Sequence, residues 1–350
     1  MPKAHPCTIL YSLLLLASDG IPQIAEFTLG GMILLLKPAR GKISPFESIK
    51  GRRRREAVKL YGIMFPVLLH IFIFCYIPMY GIAIAFQDYH PGNPFIAFDG
   101  SVKWVGLDHL KKFVTGMYFT RLFGNTFRLS LYLLVFGFWV PIVFALLVNE
   151  IKGGAFKKFL QTSSYLPYFI STVVVAGMVL SFIKSDGIIN SVIESLGGKA
   201  KPFTTDPKYF SSIYTITNIW KTFGWNSILY LSAITGIDQN LYEASKIDGA
   251  NRLKQAIYIT LPSIVPTIVV LLIFAIGGLL SANSEFILLM YNPAIYETSD
   301  VIGTYVYREG LLSGNFSFGT AVGLFTSVFN FLLLYAANSA SRKYSSYSLW

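Results

Sequence analysis

Charge is scarce in this sequence, and acidic charge is scarcer than basic. Of 350 residues only 13% are charged, and 18 Asp and Glu stand against 29 Lys and Arg, for a net charge of +11. Soluble domains carry roughly a quarter of their residues as charge. With 53% hydrophobic residues, the chain has more apolar surface than a water-soluble fold can bury, which excludes the ordinary soluble enzyme. Cysteine is almost missing: Cys7 and Cys75 lie far apart, and Cys75 falls in an apolar run. No disulfide framework or cysteine-rich metal site is implied. Neither a GxxxxGK[ST] phosphate loop nor an HExxH helix occurs, so the sequence signatures of a P-loop nucleotidase and of a zinc hydrolase are both lacking. His70 and His90 are isolated and read as packing or surface groups.

What is present is a series of long apolar runs. A bilayer core requires roughly 20 apolar residues per helix, and such runs recur at 60–86, 129–148, 165–183, 213–237, 264–290 and 318–337. These predict an all-α polytopic membrane protein with about six transmembrane helices. Helices are preferred to barrel strands because the runs are long and continuous, whereas a barrel strand alternates apolar and polar residues over about ten positions. The basic residues cluster between the runs instead of forming one face, which argues against nucleic acid and for a membrane with a cytoplasmic leaflet. Arg52, Arg53, Arg54 and Arg55, with Lys50 and Lys59, precede the first run and hold that end in the cytoplasm. Parity then puts Lys157 and Lys158, the segment around Lys246 and Arg252, and the tail with Arg342 and Lys343 on the same side, so both termini are cytoplasmic. The outer loop also carries Lys103, Lys111, Lys112 and Arg121, accompanied by Asp88, Asp99 and Asp108.

Residues 1–45 hold two apolar stretches, 9–17 and 29–36, each too short to span. A mobile or interfacial tail is expected there, followed by a transmembrane domain over 46–350. A cleaved signal peptide is not, because the basic cluster follows these stretches instead of preceding them.

The loop over 238–263 carries the most information. It reads Tyr242-Glu243-Ala244-Ser245-Lys246-Ile247-Asp248-Gly249-Ala250-Asn251-Arg252 and runs on to Leu261-Pro262. Asp238 is placed to cap a short helix, Gly249 allows a backbone turn that a Cβ resists, and a second short helix follows. Small Ala244 and Ala250 permit close approach by another protein, and Glu243, Lys246, Asp248 and Arg252 offer charged partners.

The string EASKIDGANRLKQAIYITLP resembles the EAA loop of permeases in binding-protein-dependent ABC importers, in which that loop docks in a cleft of the ATPase subunit. The resemblance assigns ATPase coupling to Glu243, Ala244, Ser245, Asp248, Gly249, Ala250, Arg252, Leu261 and Pro262. Ser245 departs from the alanine usual in the family, as does Ala256 from a larger aromatic. Trp104-Val105-Gly106-Leu107, Leu147 to Ile151, Tyr165-Leu166-Pro167, Ile219-Trp220-Lys221 with Gly224-Trp225, and the stretch Tyr291 to Arg308 resemble carbohydrate-importer permeases, extending the likeness from about residue 44 onward. The branch that the chain resembles handles oligosaccharides, including acidic ones from alginate or pectin. The resemblance implies a type I importer permease in the bacterial inner membrane. It further implies a second and different permease chain, two ATPase subunits that bind ATP and Mg, and an extracytoplasmic solute-binding protein. No cofactor is expected in this chain itself, nor any partner of nucleic acid.

Polar groups inside apolar runs are costly, a few kcal/mol each for a charge at mid-bilayer on insertion scales, unless paired or facing a cavity. Trp220, Lys221, Trp225, Asn226, Asn283 and Glu285 are therefore candidate wall residues of a solute path, aromatic faces stacking on sugar rings and polar tips reaching hydroxyls. The same tryptophans also suit interfacial anchoring, and Asn283 and Asn330 also suit bonding between helices. Two other readings of the chain stand beside import: an ion-coupled secondary transporter using Lys221 and Glu285, and a membrane assembly subunit without transport. The first would show inverted repeats and broken helices, and no convincing internal repeat is found.

Overall fold

The computed structural model describes residues 49–92, 94, 102–151, 153–345 and 347–350. The tail expected over residues 1–45 lies outside them. The chain divides into two units, residues 1–83 and residues 84–350. In the first, α1 (Ile49–Ile71) continues through a π turn at Phe72–Tyr76 into a 3-10 segment, Tyr80–Phe86, that runs across the boundary between the units.

The second unit is a helical bundle. Its elements are α2 (Asp108–Val114), α3 (Phe119–Glu150), α4 (Ala155–Tyr165), α5 (Thr172–Ile183), α6 (Ile188–Ser195), α7 (Pro207–Thr235) and α8 (Gln239–Ile247). There follow α9 (Arg252–Gly277), α10 (Ser284–Met290), α11 (Tyr296–Ser299), α12 (Ile302–Tyr305) and α13 (Phe316–Tyr344). Among the described residues the β structure is confined to an isolated antiparallel bridge between Gln87 and Trp104.

Among the described residues, five stretches are long and apolar enough to cross a membrane: Glu56–Phe86, α3, Thr172–Ser195, α9 and α13. The sixth long helix is α7, whose 29 residues reach about 43 Å. Asp206 caps its first turn, accepting from Lys208 N at 3.1 Å, and Pro207 takes the first helical position, where no donor is needed. It is less apolar than the others because it lies among them, packed by α3, α4, α9 and α11. Thr215, Thr217, Asn218 and Ser227 are buried on it, where neighbouring protein rather than lipid surrounds them.

Proline shapes three of the long helices. Its ring collides with the carbonyl four residues back, and it has no N–H to give. For Pro78, Pro141 and Pro262 that carbonyl belongs to Phe74, Gly137 and Tyr258, and each lies in a π turn: Phe72–Tyr76, Leu133–Gly137 and Ala256–Thr260. The ladder has slipped by one residue, as where Phe138 N bonds Leu133 O at 3.1 Å. The wider turn makes room for the ring while the helix runs on.

The boundaries differ from the apolar runs for local reasons. The second span was expected from residue 129, but α3 begins at Phe119 and carries Arg121, Asn125 and Arg128 in its first turns. The third was expected from residue 165, but Pro167 lies in a 3-10 turn and Ser171 caps α5 by accepting from Val174 N at 3.3 Å. The run 264–290 covers two elements. Helix α9 stops at Gly277, and α10 starts anew at Ser284 under an Asn283 cap.

Contacts between loops define the two ends of the bundle. At one, Arg252 at the start of α9 meets Glu150 at the end of α3. At the other, Asn292 and Thr298 bond the main chain at Thr204 and Pro207, and Asn125 bonds the carbonyls of Glu297 and Asp300. Three apolar clusters fill the interior between these ends. One joins Val175, Tyr214 and Phe286, another Phe113, Phe318 and Val322, and a third Ile142, Tyr230 and Ile264.

Candidate functional site

At the Glu150 end, α8 stands out from the bundle as a capped two-turn helix. Asp238 accepts from Asn240 N at 2.9 Å. The other end closes with Ala250 N on Ser245 O at 2.9 Å and Gly249 N on Lys246 O at 3.1 Å. This paired closure puts Gly249 at φ +75°, a left-handed position that glycine takes without steric cost. Asn251 then caps the next helix, accepting from Lys254 N at 2.9 Å. The second short helix expected after Gly249 is not separate: it is the first turn of α9, so the loop leads straight into a membrane span.

The nine residues proposed for coupling differ in exposure. Glu243, Ala244, Asp248 and Gly249 are exposed, together with Ile247 at 88% and Leu253 at 68%. Two such apolar side chains, Ile247 outside the spans and Leu253 in the first turn of α9, suit a protein surface. Ser245, Ala250 and Leu261 are half-buried, while Pro262 is exposed in the turn that follows the π segment. Arg252 is turned to Glu150 Oε2 at 3.0 Å.

Behind α8 lies a polar brace that the sequence reading missed. Buried Gln255 donates to Ser245 Oγ at 2.9 Å, Ser245 Oγ donates to Tyr242 O at 2.8 Å, and Tyr242 Oη meets the hydroxyl of buried Thr260 at 2.9 Å. Ser245, the departure from alanine, is thus a link between α8 and α9. Next to it is a recess of about 680 Å³ lined by Asn149, Glu150, Tyr242, Lys246, Arg252 and Gln255.

Midway along the bundle a cavity of about 390 Å³ lies between α3, α7 and α9. Ser130, Asn218, Thr222, Asn226 and Ser281 are polar members of its wall. Asn218, Thr222 and Asn226 follow a four-residue spacing, which places them on one stripe of α7. That spacing was the available signal for Asn218 and Thr222. Of the six proposed path residues, Asn226 belongs to this wall. The other five are elsewhere. Trp225 stacks on Tyr168 with ring centroids 4.5 Å apart and meets Phe169 edge-on, holding α7 against the turn after α4. Lys221 Nζ donates to Thr172 Oγ1 at 3.1 Å, at the start of α5. Asn283 caps α10 and donates its main-chain N–H to Tyr214 Oη at 2.9 Å. Glu285 is exposed in the first turn of α10, beyond the end of α9, and Trp220 is 40% exposed.

The opposite end holds the strongest electrostatic feature. Asp300, with no exposed surface, accepts from Arg121 Nη2 at 3.1 Å, Arg308 Nη2 at 3.1 Å and Thr304 Oγ1 at 2.8 Å. Burial works against the Arg308 charge, but the Asp300 carboxylate outweighs it and holds the guanidinium above its ordinary value. Arg121 lies over the Tyr118 ring at 5.0 Å, and Arg308 over Tyr296 at 5.3 Å and Tyr305 at 5.5 Å.

A bundle of membrane-length helices with polar groups set in a mid-bundle cavity and a capped helix projecting from one end is what a membrane permease requires. Comparison with known proteins gives the family. The model of the family described as "Binding-protein-dependent transport system inner membrane component" matches residues 137–345, and the chain belongs to that family. It is 41% identical over 302 residues to the polygalacturonan/rhamnogalacturonan transport system permease protein YteP of Bacillus subtilis (strain 168), covering 84% of this chain and 93% of that one. A solved bacterial ABC transporter involved in import of the acidic polysaccharide alginate matches with a TM-score of 0.74 and 39% identity, covering 84% of this chain and 98% of that chain. The alginate transporter in complex with its alginate pentasaccharide-bound periplasmic protein matches with a TM-score of 0.76 and 38% identity, over 85% and 99%. The chain is therefore a multi-pass inner-membrane permease subunit of an ABC importer, with the all-α fold of ABC importer permeases. The ion-coupled reading falls away with that membership.

Proposed function

We propose that this subunit forms half of the translocation path for a uronic-acid-containing oligosaccharide and is driven through α8 by two partner ATPase subunits. Those partners bind the ATP and Mg, and this chain hydrolyses nothing. A second, different permease chain supplies the other half of the path, and an extracytoplasmic binding protein delivers the solute. The observation that carries the coupling role is the braced, outward-facing α8. Glu243, Ala244, Ile247, Asp248 and Gly249 are exposed on a helix that Gln255, Ser245, Tyr242 and Thr260 tie to the start of α9. A push on the exposed side is therefore delivered to a spanning helix. The sugar assignment draws support from the named substrates of YteP and of the alginate transporter, and from the Asn, Thr and Ser groups, matched to hydroxyls, set in a mostly apolar cavity wall. The test is co-purification with the ATPase subunits. Ala244→Trp places a bulky side chain on the exposed side of α8 and is expected to abolish ATPase association while the permease still folds. Undiminished association, together with sugar-stimulated ATP hydrolysis, would defeat the coupling assignment.

A further inference from the structure

Helix α3 carries Arg121, Asn125 and Arg128 in its first three turns, spaced by four and by three, so the side chains form one stripe. Side chains on a helix lean toward its N-terminus. Here that direction is outward, away from the cytoplasm, and Arg128 reaches up to donate from Nη2 to Asn125 Oδ1 at 3.0 Å. Asn125 is itself held, with Nδ2 on the carbonyls of Glu297 at 2.9 Å and Asp300 at 3.0 Å. The stripe thus lies against the segment 297–300, at the end of the bundle where solute enters.

The three guanidiniums in this region are not equivalent. Arg121 and Arg308 share the carboxylate of Asp300, and Arg308 Nε is also 3.7 Å from Glu309 Oε1. Arg128 has no carboxylate within ion-pair distance among the described residues. Among the described residues, the Nε atoms of both Arg121 and Arg128 are buried with no hydrogen-bond partner. Arginine offers five donors, no acceptor, and does not give up its proton, so the protein leaves two charged donors unpaired on one stripe. They are seven residues apart, about 10.5 Å along the helix. Unpaired buried donors are uncommon and call for an explanation. Planar N–H forks are the preferred partners of carboxylates, and the Arg121 fork is held flat over the Tyr118 ring at 5.0 Å.

We propose that Arg128, with Arg121 above it, recognises the carboxylates of an acidic oligosaccharide as it passes from the outer mouth into the bundle. This rests on the oligosaccharide reading given above and adds the residues that select for acid. Both Nε groups are covered in this conformation, so the carboxylates reach them once the segment 297–300 has moved off α3. Substrate then favours the open mouth, because it satisfies donors that the closed mouth leaves unpaired.

The test uses the complete transporter in lipid vesicles, with binding protein and ATPases, and measures uptake of a uronic-acid trisaccharide and of its carboxyl-reduced neutral counterpart. Arg128→Gln is expected to raise KM for the acidic sugar about tenfold, with kcat and subunit assembly preserved and neutral-sugar uptake unaffected by the substitution. Arg128→Lys restores part of the loss, and Arg121→Gln shows the same KM effect. A fall in kcat with KM unchanged, or equal losses on both sugars, overturns the proposal. So does loss of assembly in both the Gln and Lys variants of Arg128, which would assign its free donors to a neighbouring subunit. A wild-type transporter that imports neither sugar strikes the oligosaccharide reading itself, whereas import with no selective effect of the substitutions strikes only the arginine assignment.

Discussion

Asp300 shows how much one buried side chain organises at the outer end. Its carboxylate has no exposed surface and is shared by two guanidiniums that are themselves only 34% and 28% exposed. Removing one member of a buried ionic cluster leaves the remaining charges unpaired, which costs about 3–5 kcal/mol. Asp300→Ala is therefore expected to lower the unfolding free energy of the detergent-solubilised chain by about that amount, read as a depressed melting temperature; an unchanged melting temperature would show the cluster to be solvated. Lys221 behaves differently. It meets Thr172 and does not line the mid-bundle cavity, so Lys221→Met is expected to leave the KM for uptake within about twofold, below 0.5 kcal/mol. A tenfold rise would return Lys221 to the path. At this scale the sequence announced charge inside apolar runs but misjudged its setting. Arg121 was read as an outer-loop charge and Arg128 went unweighed because the apolar run was started at residue 129, after the polar stripe. Glu285 was counted within a span because nothing in the run 264–290 marks the break between Gly277 and Ser284 as clearly as their contacts do.

Elements were easier to read than their couplings. The caps Asp238 and Gly249 have local chemistry and could be placed from sequence, and α8 lies where they put it. The Gln255–Ser245 and Tyr242–Thr260 bonds cross a turn and join residues ten and eighteen positions apart, so no local pattern reveals them. The π turns are intermediate: the prolines are visible, but whether the helix kinks, stops or widens depends on the neighbours that hold it. Gly249 gives a sharp test of the local part. A β-branched residue in the left-handed region costs about 1–2 kcal/mol, whereas asparagine tolerates that region. Gly249→Val is expected to uncouple ATP hydrolysis from uptake in the assembled transporter, and Gly249→Asn to preserve coupling. Equal activity of the two would mean that the closure of α8 is not what aligns it.

For the molecule as a whole, the arrangement of α7 explains why hydropathy alone understates it. A helix enclosed by α3, α4, α9 and α11 has no need to be apolar on every side, and its Asn218, Thr222 and Asn226 stripe opens on the mid-bundle cavity. Asn226 and Ser281 in that wall are exposed in this single chain. Facing lipid, such groups would compete poorly with apolar side chains, because hydrocarbon offers them no hydrogen bonds. Facing a second permease subunit across a watered path, they carry no such penalty. The stability of the chain is accordingly expected to depend on its partner: the melting temperature of the isolated subunit in detergent should rise when the second permease chain is co-expressed, by the mass-action stabilisation that any native-state ligand confers. Asn226→Leu should narrow that gap by making the wall of the isolated chain more lipid-compatible while impairing uptake. An isolated subunit as stable as the assembled one, with the Asn226→Leu variant transporting normally, would show that this wall faces neither a partner nor a solute.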